Sequence, residues 1–257
     1  MKKLFSVSVL CAALPFSVHA QEASPAAQPE ASAAPSWMLG VAASVQKKPY
    51  TGADTRYRVL PFVAYENSWF KLIGPGVGLK LGRTGGFNYL LNARYGLGEG
   101  YKSSDAWVLE GMNKRKPSVW VGPEVNWDSM LGRLSASASA DVAQESKGYQ
   151  ATLSLSHEYR FGRFSLTPTA GLTWFSASYI DYYYGVTDAE TTSWRQRYDG
   201  KASLDLGIGL RSRYMIDAHQ FLSLDLGVKR LGAGITDSPL VDRTYVPQVG
   251  VGYVYRF

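Results

Sequence analysis

From residue 37 onward the hydrophobic pattern repeats every two residues, and it does so over unusually long stretches. Leu204, Leu206, Ile208 and Leu210 alternate with Ser203, Asp205, Gly207, Gly209 and Arg211. Leu222, Leu224, Leu226 and Val228 alternate with Ser223, Asp225, Gly227 and Lys229. Residues 134–142, 149–155 and 164–174 follow the same scheme. A period of two is that of a strand and excludes amphipathic helices. The strands drawn around these runs are about 13 to 15 residues long, whereas soluble strands cluster near 5–6. Tilted membrane strands need about 9–11 residues in the hydrocarbon, plus their ends. None of these apolar faces carries a charge, and a lysine or arginine at a lipid-facing midplane would cost about 2–4 kcal/mol. Asp141, Glu158, Arg160, Asp205, Arg211, Asp225 and Lys229 all lie on the opposite faces. The pattern describes an apolar exterior around a wet lumen: an all-β, transmembrane antiparallel β-barrel.

Composition narrows the remaining classes. Charged residues are 19% of the chain and hydrophobic residues 46%, with a mean hydropathy of −0.15. This excludes a disordered polyelectrolyte and gives no apolar excess for a helical membrane bundle. Residues 1–20 read as a secretory signal peptide: Lys2 and Lys3, an apolar run to Val18, then Val18-His19-Ala20 as the cleavage site. That segment holds Cys11, the chain's single cysteine. Residues 21–36 form an Ala/Pro-rich leader that buries too little apolar surface to order itself. The barrel is expected over 37–257. Loss of Lys2 and Lys3 leaves 25 basic against 21 acidic residues, a formal +4 with no block of like charge. That argues against a nucleic-acid partner.

Eleven strands can be drawn, over 37–46, 57–66, 69–82, 86–96, 117–127, 132–145, 148–161, 164–177, 200–214, 219–231 and 244–257. Single-chain bacterial barrels use even numbers. Gly74-Pro75-Gly76 is a breaker inside the third run. Splitting that run gives twelve strands, with ten as the fallback. Short connections at 128–131, 162–163 and 216–218 fall at one end, and long ones at 97–116, 178–199 and 232–243 at the other. That asymmetry is expected of a barrel in the outer membrane of a Gram-negative cell, with short turns in the periplasm. Residues 146–147 are short yet fall outside. Trp120, Trp127, Tyr159, Phe161, Phe164, Trp174 and Tyr214 lie near strand ends, as an aromatic girdle would. Tyr253, Tyr255 and Phe257 end an amphipathic strand on an aromatic residue. Such an end is similar to the signal read by the outer-membrane barrel-insertion machinery.

Little in the sequence points to catalysis. Beyond residue 20 only His157 and His219 are available as imidazole bases. His157 shares parity with Leu153 and Leu155, which places it on the lipid face. No serine nucleophile is evidently placed for either. Metal-ligand spacing, phosphate loops, paired carboxylates and dinucleotide fingerprints are not found, so no cofactor is expected. The inward charges Arg94, Glu124, Asp141, Glu158, Arg160, Asp205, Arg211, Arg213, Asp225 and Lys229 are of both signs. They would line a conduction path or pair within a narrow lumen; mixed signs make no selectivity ring.

Several stretches resemble the MipA/OmpV family of outer-membrane proteins (the MltA-interacting protein family). They are Pro49-Tyr50-Thr51-Gly52-Ala53-Asp54 with Tyr57-Arg58-Val59-Leu60-Pro61, Leu109-Glu110-Gly111-Met112, Thr173-Trp174 with Asp181-Tyr182-Tyr183-Tyr184-Gly185-Val186, and Asp237-Ser238-Pro239-Leu240-Val241. The resemblance implies a non-enzymatic scaffold linking a membrane-bound lytic transglycosylase to a bifunctional peptidoglycan synthase. It also associates some members with osmotic response, antibiotic susceptibility or adhesion. It supplies no residue-level binding site. Tyr182, Tyr183 and Tyr184 are the candidate loop contacts, with packing over the barrel mouth as the competing role. A small-solute pore, an adhesin acting through 178–199 and a lipid- or peptide-cleaving barrel enzyme remain the alternatives.

Overall fold

The structure is a computed structural model that describes residues 35–257. The expected signal peptide and residues 21–34 of the expected leader lie outside the described residues. Thirteen strand segments follow in chain order: β1 (Ser36–Lys47), β2 (Thr55–Glu66), β3 (Phe70–Ile73), β4 (Gly76–Thr84), β5 (Phe87–Tyr95), β6 (Val119–Ser129) and β7 (Gly132–Asp141), then β8 (Tyr149–Ser156), β9 (Tyr159–Phe161), β10 (Phe164–Phe175), β11 (Ser203–Met215), β12 (Gln220–Arg230) and β13 (Tyr245–Arg256). Chain neighbours pair antiparallel except β8 and β9, which both pair with β10; β10 pairs with β11, and β13 returns to β1, so the sheet closes. No helix among the described residues is long and apolar enough to cross a membrane.

The thirteen segments make twelve staves. β8 and β9 both pair with β10 in one continuous register and are interrupted only at 157–158. The His157 N–H donates to the Pro168 carbonyl at 3.3 Å, but Pro168 has no N–H to return. The expected strand over 148–161 is therefore one stave with a missing rung. The expected strand over 69–82 does divide at Gly74-Pro75. Gly74 takes a positive φ of 52° and a two-residue turn brings Ile73 opposite Gly76. Twelve is thus the stave number.

Register fixes which face each residue takes. Val41, Val45, Val249, Val251, Leu222, Leu224 and Leu226 stand outward and exposed, forming the apolar exterior. Arg211 lies opposite Asp225 on the inner face, with Nε 2.5 Å from Oδ1. Lys229 reaches Asp205 at 2.9 Å, and Arg133 reaches Asp128 at 2.5 Å. These inner charges pair along the wall with neighbouring staves.

Two features of the interior depart from the sequence reading. Trp120 does not join the aromatic girdle. Its register partners are Arg94 and Asp141, so the indole points inward and is fully buried, donating from Nε1 to Glu99 at 2.8 Å. The lumen is also not uniformly polar. Met38, Phe62, Ala64, Phe221 and Val254 form a buried apolar cluster with Ile73 and Met215 against it. Met38, Ala64, Met215, Phe221 and Val254 sit at the periplasmic ends of their strands, so this cluster is a floor.

Candidate functional site

The long connections fold into a cap over the outer mouth. Residues 176–202 begin with helix α1 (Ala177–Tyr184), whose N-cap Ser176 accepts from the Tyr179 N–H. Tyr179, Ile180 and Tyr183 recur at three and four residues, the spacing of one helix face. That face is buried, with Phe175, Trp120, Leu231, Ile235 and Val246, over the strand ends. Ile235 belongs to the short helix α2 (Ala233–Thr236). A second apolar cluster unites Tyr50, Tyr101, Val108, Leu109, Met112, Val186 and Leu240 from four separate connections.

Polar groups tie these clusters together. Arg195 is fully buried, and its guanidinium donates only to main-chain oxygens: Glu190 at 2.8 and 2.6 Å, Val108 at 2.7 Å and Glu110 at 3.0 Å. Arg115 donates to the Tyr182 carbonyl at 2.7 Å and to both Glu190 carboxylate oxygens at 3.1 and 3.0 Å. Burial by itself would raise the Glu190 carboxyl. The N–H groups of Asn113 and Thr187, the Thr187 hydroxyl and Arg115 outweigh it and hold the group below its ordinary value. None of Arg115, Glu190 and Arg195 was marked by the sequence, because each acts on residues about 70 to 90 positions away in a cap whose docking no local pattern encodes.

The three tyrosines occupy three different environments. Tyr183 is buried and donates to the Lys116 carbonyl at 3.1 Å, while burial drives its hydroxyl pKa upward. Tyr184 stacks on Tyr50 at 5.6 Å between centroids, and its carbonyl accepts from the Ser238 hydroxyl. Tyr182 is half-buried; its hydroxyl accepts from the Lys116 N–H at 2.9 Å and donates to Glu145 at 3.4 Å. Tyr182 and Tyr184 are thus both partly exposed at the cap, and Tyr183 is not.

The periplasmic rim is built from tight turns. Asn67 Oδ1 accepts from the Trp69 and Phe70 N–H groups at 2.8 Å each, and Asp217 Oδ1 likewise from His219 and Gln220. The turn between β6 and β7 projects Met130 and Leu131, which are 96% and 81% exposed. Tyr255 packs edge-on against Phe257 at 4.9 Å, and the Tyr253 hydroxyl donates to Gln220 at 2.6 Å. His157 packs on Tyr159 and His219 on Tyr255, so the two imidazoles lie on separate staves of the girdle and form no joint site.

Comparison with known proteins agrees with this architecture. A family model described as MltA-interacting protein MipA matches residues 39–257. Outer membrane protein OmpV of Vibrio cholerae is 30% identical over 207 residues, covering 79% of this chain and 80% of the relative. Outer membrane protein Omp26La of Vibrio anguillarum is 28% identical, covering 86% of each. The MltA-interacting protein of Escherichia coli is 26% identical, covering 85% of this chain and 89% of the relative. The family match begins inside β1 and runs through the end of β13, so it takes in the whole closed sheet but for the first residues of β1, and the chain belongs to the MltA-interacting protein (MipA/OmpV) family of outer-membrane β-barrels.

Proposed function

We propose that this barrel is a non-enzymatic scaffold that holds a lytic transglycosylase, and through it a peptidoglycan synthase, against the periplasmic face of the outer membrane. Similarity to the E. coli MltA-interacting protein motivates the class of partner. One observation carries the reading: the outer mouth is filled by a packed cap, while the periplasmic rim presents Met130 and Leu131 as a bare apolar tip. Isolated apolar side chains so exposed on a rim suit an anchor entering a partner's pocket. The leader, which joins β1 at the same rim, adds a second attachment.

The test is a pull-down of the detergent-extracted barrel with a purified membrane-bound lytic transglycosylase. Retention is expected with the unaltered barrel, and at least a tenfold loss in the Met130→Asp, Leu131→Asp double variant. Equal retention by both proteins, or none by either, would refute the scaffold role.

A further inference from the structure

The sheet closes, but one stretch of it lacks a neighbouring strand on one side. β2 is paired with β1 along its whole length, from Thr55 to Glu66. On its other side it pairs with β3 only at Ala64, Tyr65 and Glu66. β3 stops after four residues because Gly74-Pro75 turns the chain back into β4. The Gly74 N–H donates to the Val63 carbonyl at 2.9 Å, and that bond is the last rung. Beyond it β2 runs outward through residues 55–62, on the order of 25 Å along the strand, and no described strand faces that edge.

Strand alternation tells which groups this leaves bare. Val63 turns its carbonyl toward the hairpin, so Tyr57, Val59 and Pro61 present their main-chain groups to the same side. Pro61 has no N–H to leave unpaired, the usual property of an edge position. Side chains report the gap independently. Tyr57 and Val59, on the lipid face, are 75% and 70% exposed, whereas Val41, Val249 and Leu224 elsewhere on the wall are roughly 40–50% exposed. Bare main chain is tolerated at membrane depth only where it lines a cavity or meets a polar partner.

The opening has an outer end, an inner end and a charge. The 97–100 part of the cap reaches its outer end through Lys48 and Arg58, and Phe62 of the apolar floor lies on β2 at its inner end. Lys48, Arg56 and Arg58 gather at its outer end. Asp105 lies 3.5 Å from Lys48 and 3.7 Å from Arg56. Lys48 also donates to the Gly100 carbonyl at 2.7 Å, and Arg58 to the Leu97 carbonyl at 3.4 Å. The 96–101 segment is moulded around Arg58: a Cβ on Gly98 would fall 2.0 Å from its guanidinium. Two of the three cations, Lys48 and Arg56, therefore share one carboxylate, and Arg58 beside them meets only a main-chain carbonyl among the contacts described.

We propose that the opening between β2 and the β3–β4 hairpin is a lateral binding site for an anionic, single-chain amphiphile drawn from the outer leaflet. The alkyl chain lies along the bare β2 edge over Leu60 and ends on the apolar floor. The anionic head rests on Lys48, Arg56 and Arg58. Two absent strand positions correspond to about 10 Å of wall, and at the outer end the 96–101 segment reaches across to Lys48 and Arg58. The site does not depend on the scaffold reading.

The experiment uses the chain from residue 21 onward, which lacks Cys11, in phosphatidylcholine vesicles. A bimane label is placed at Val59→Cys or, on the far wall, at Leu224→Cys. Dodecyl phosphate brominated on its chain is the quencher. Saturable quenching is expected at position 59 and only linear, partition-driven quenching at 224. Adding Arg56→Gln and Arg58→Gln weakens the saturable phase at least tenfold, Arg58→Lys retains it, and heat-modifiable gel migration confirms that each variant is folded. Equal quenching at the two positions, or a saturable phase indifferent to the two glutamine changes, overturns the site. Saturation that appears only after residues 21–34 are deleted assigns the opening to the chain's own leader and overturns it as well.

Discussion

Replacing Arg195 by alanine isolates the energetics of the cap from those of the barrel. The guanidinium is fully buried and satisfies three main-chain carbonyls, those of Val108, Glu110 and Glu190. Its burial is itself costly, so its net contribution is smaller than the sum of its bonds. Truncation is still severe, because it strands three carbonyls in the cap interior. Each buried acceptor left without a donor costs about 1–3 kcal/mol, and water entering the vacated space reduces that toward the lower figure. A loss of about 3 kcal/mol follows, equivalent to roughly a hundredfold shift in the opening equilibrium of the cap. Hydrogen exchange on the detergent-solubilised protein reads this directly. Amides over 106–112 and 186–198 should exchange about a hundred times faster in Arg195→Ala, while the strand amides of β11–β13 keep their protection. Arg195→Lys should fall between, since an ammonium cannot reach all three carbonyls in the fork geometry. Protection at 106–112 within threefold of the parent would show that the four bonds do not hold the cap, and loss of strand protection would show that cap and wall are one unit.

The Glu190 carboxyl titrates below its ordinary value when the cap is folded, so it contributes stability above the ordinary glutamate range that is lost as pH falls through the folded value. Exchange over 186–198 should therefore accelerate below about pH 4.5 with strands intact, and Glu190→Gln should remove that acceleration. A side chain at Gly122 would meet the Ala138 carbonyl at 1.9 Å and Ser139 Cα at 2.7 Å, whereas one at Gly76 meets nothing closer than 3.6 Å. Gly122→Ala should reduce the heat-modifiable folded fraction severalfold, and Gly76→Ala should leave it near the parent level. If Tyr253, Tyr255 and Phe257 form the insertion signal, Phe257→Ser should lower the folded yield in outer-membrane fractions while refolding from urea into detergent proceeds normally; equal loss in both assays would make the residue merely structural.

The walls were legible in the sequence because alternation is a local signal. Each stave can be read from its own residues, and the Gly74-Pro75 break announced the extra strand. The interior was less so. Trp120 sits near a strand end like its girdle neighbours, and only the pairing of β6 with β5 and β7 shows that it points inward. Met38 and Phe221 each stand alone among small or polar residues on their inner faces, and Phe62 and Val254 each share theirs with one other large apolar residue, Leu60 and Val246. They form a floor only when closure gathers four staves. The tyrosine loop was singled out, but α1 was not, although Ser176 and the Tyr179–Ile180–Tyr183 spacing carry a helix signature. A period-two reading of the flanking strands passes over eight helical residues.

The pairing of β13 with β1 has a consequence for biogenesis. These two ribbons lie at opposite extremes of the described chain, so the seam joining them has the largest sequence separation in the sheet. Until it is stitched, both flanks of the nascent curtain are raw and adhesive. The polypeptide must therefore be chaperoned as an incomplete crescent until its final dozen residues arrive, and a nonsense mutation anywhere upstream of them would leave a sticky fragment with no way to become a smaller cylinder.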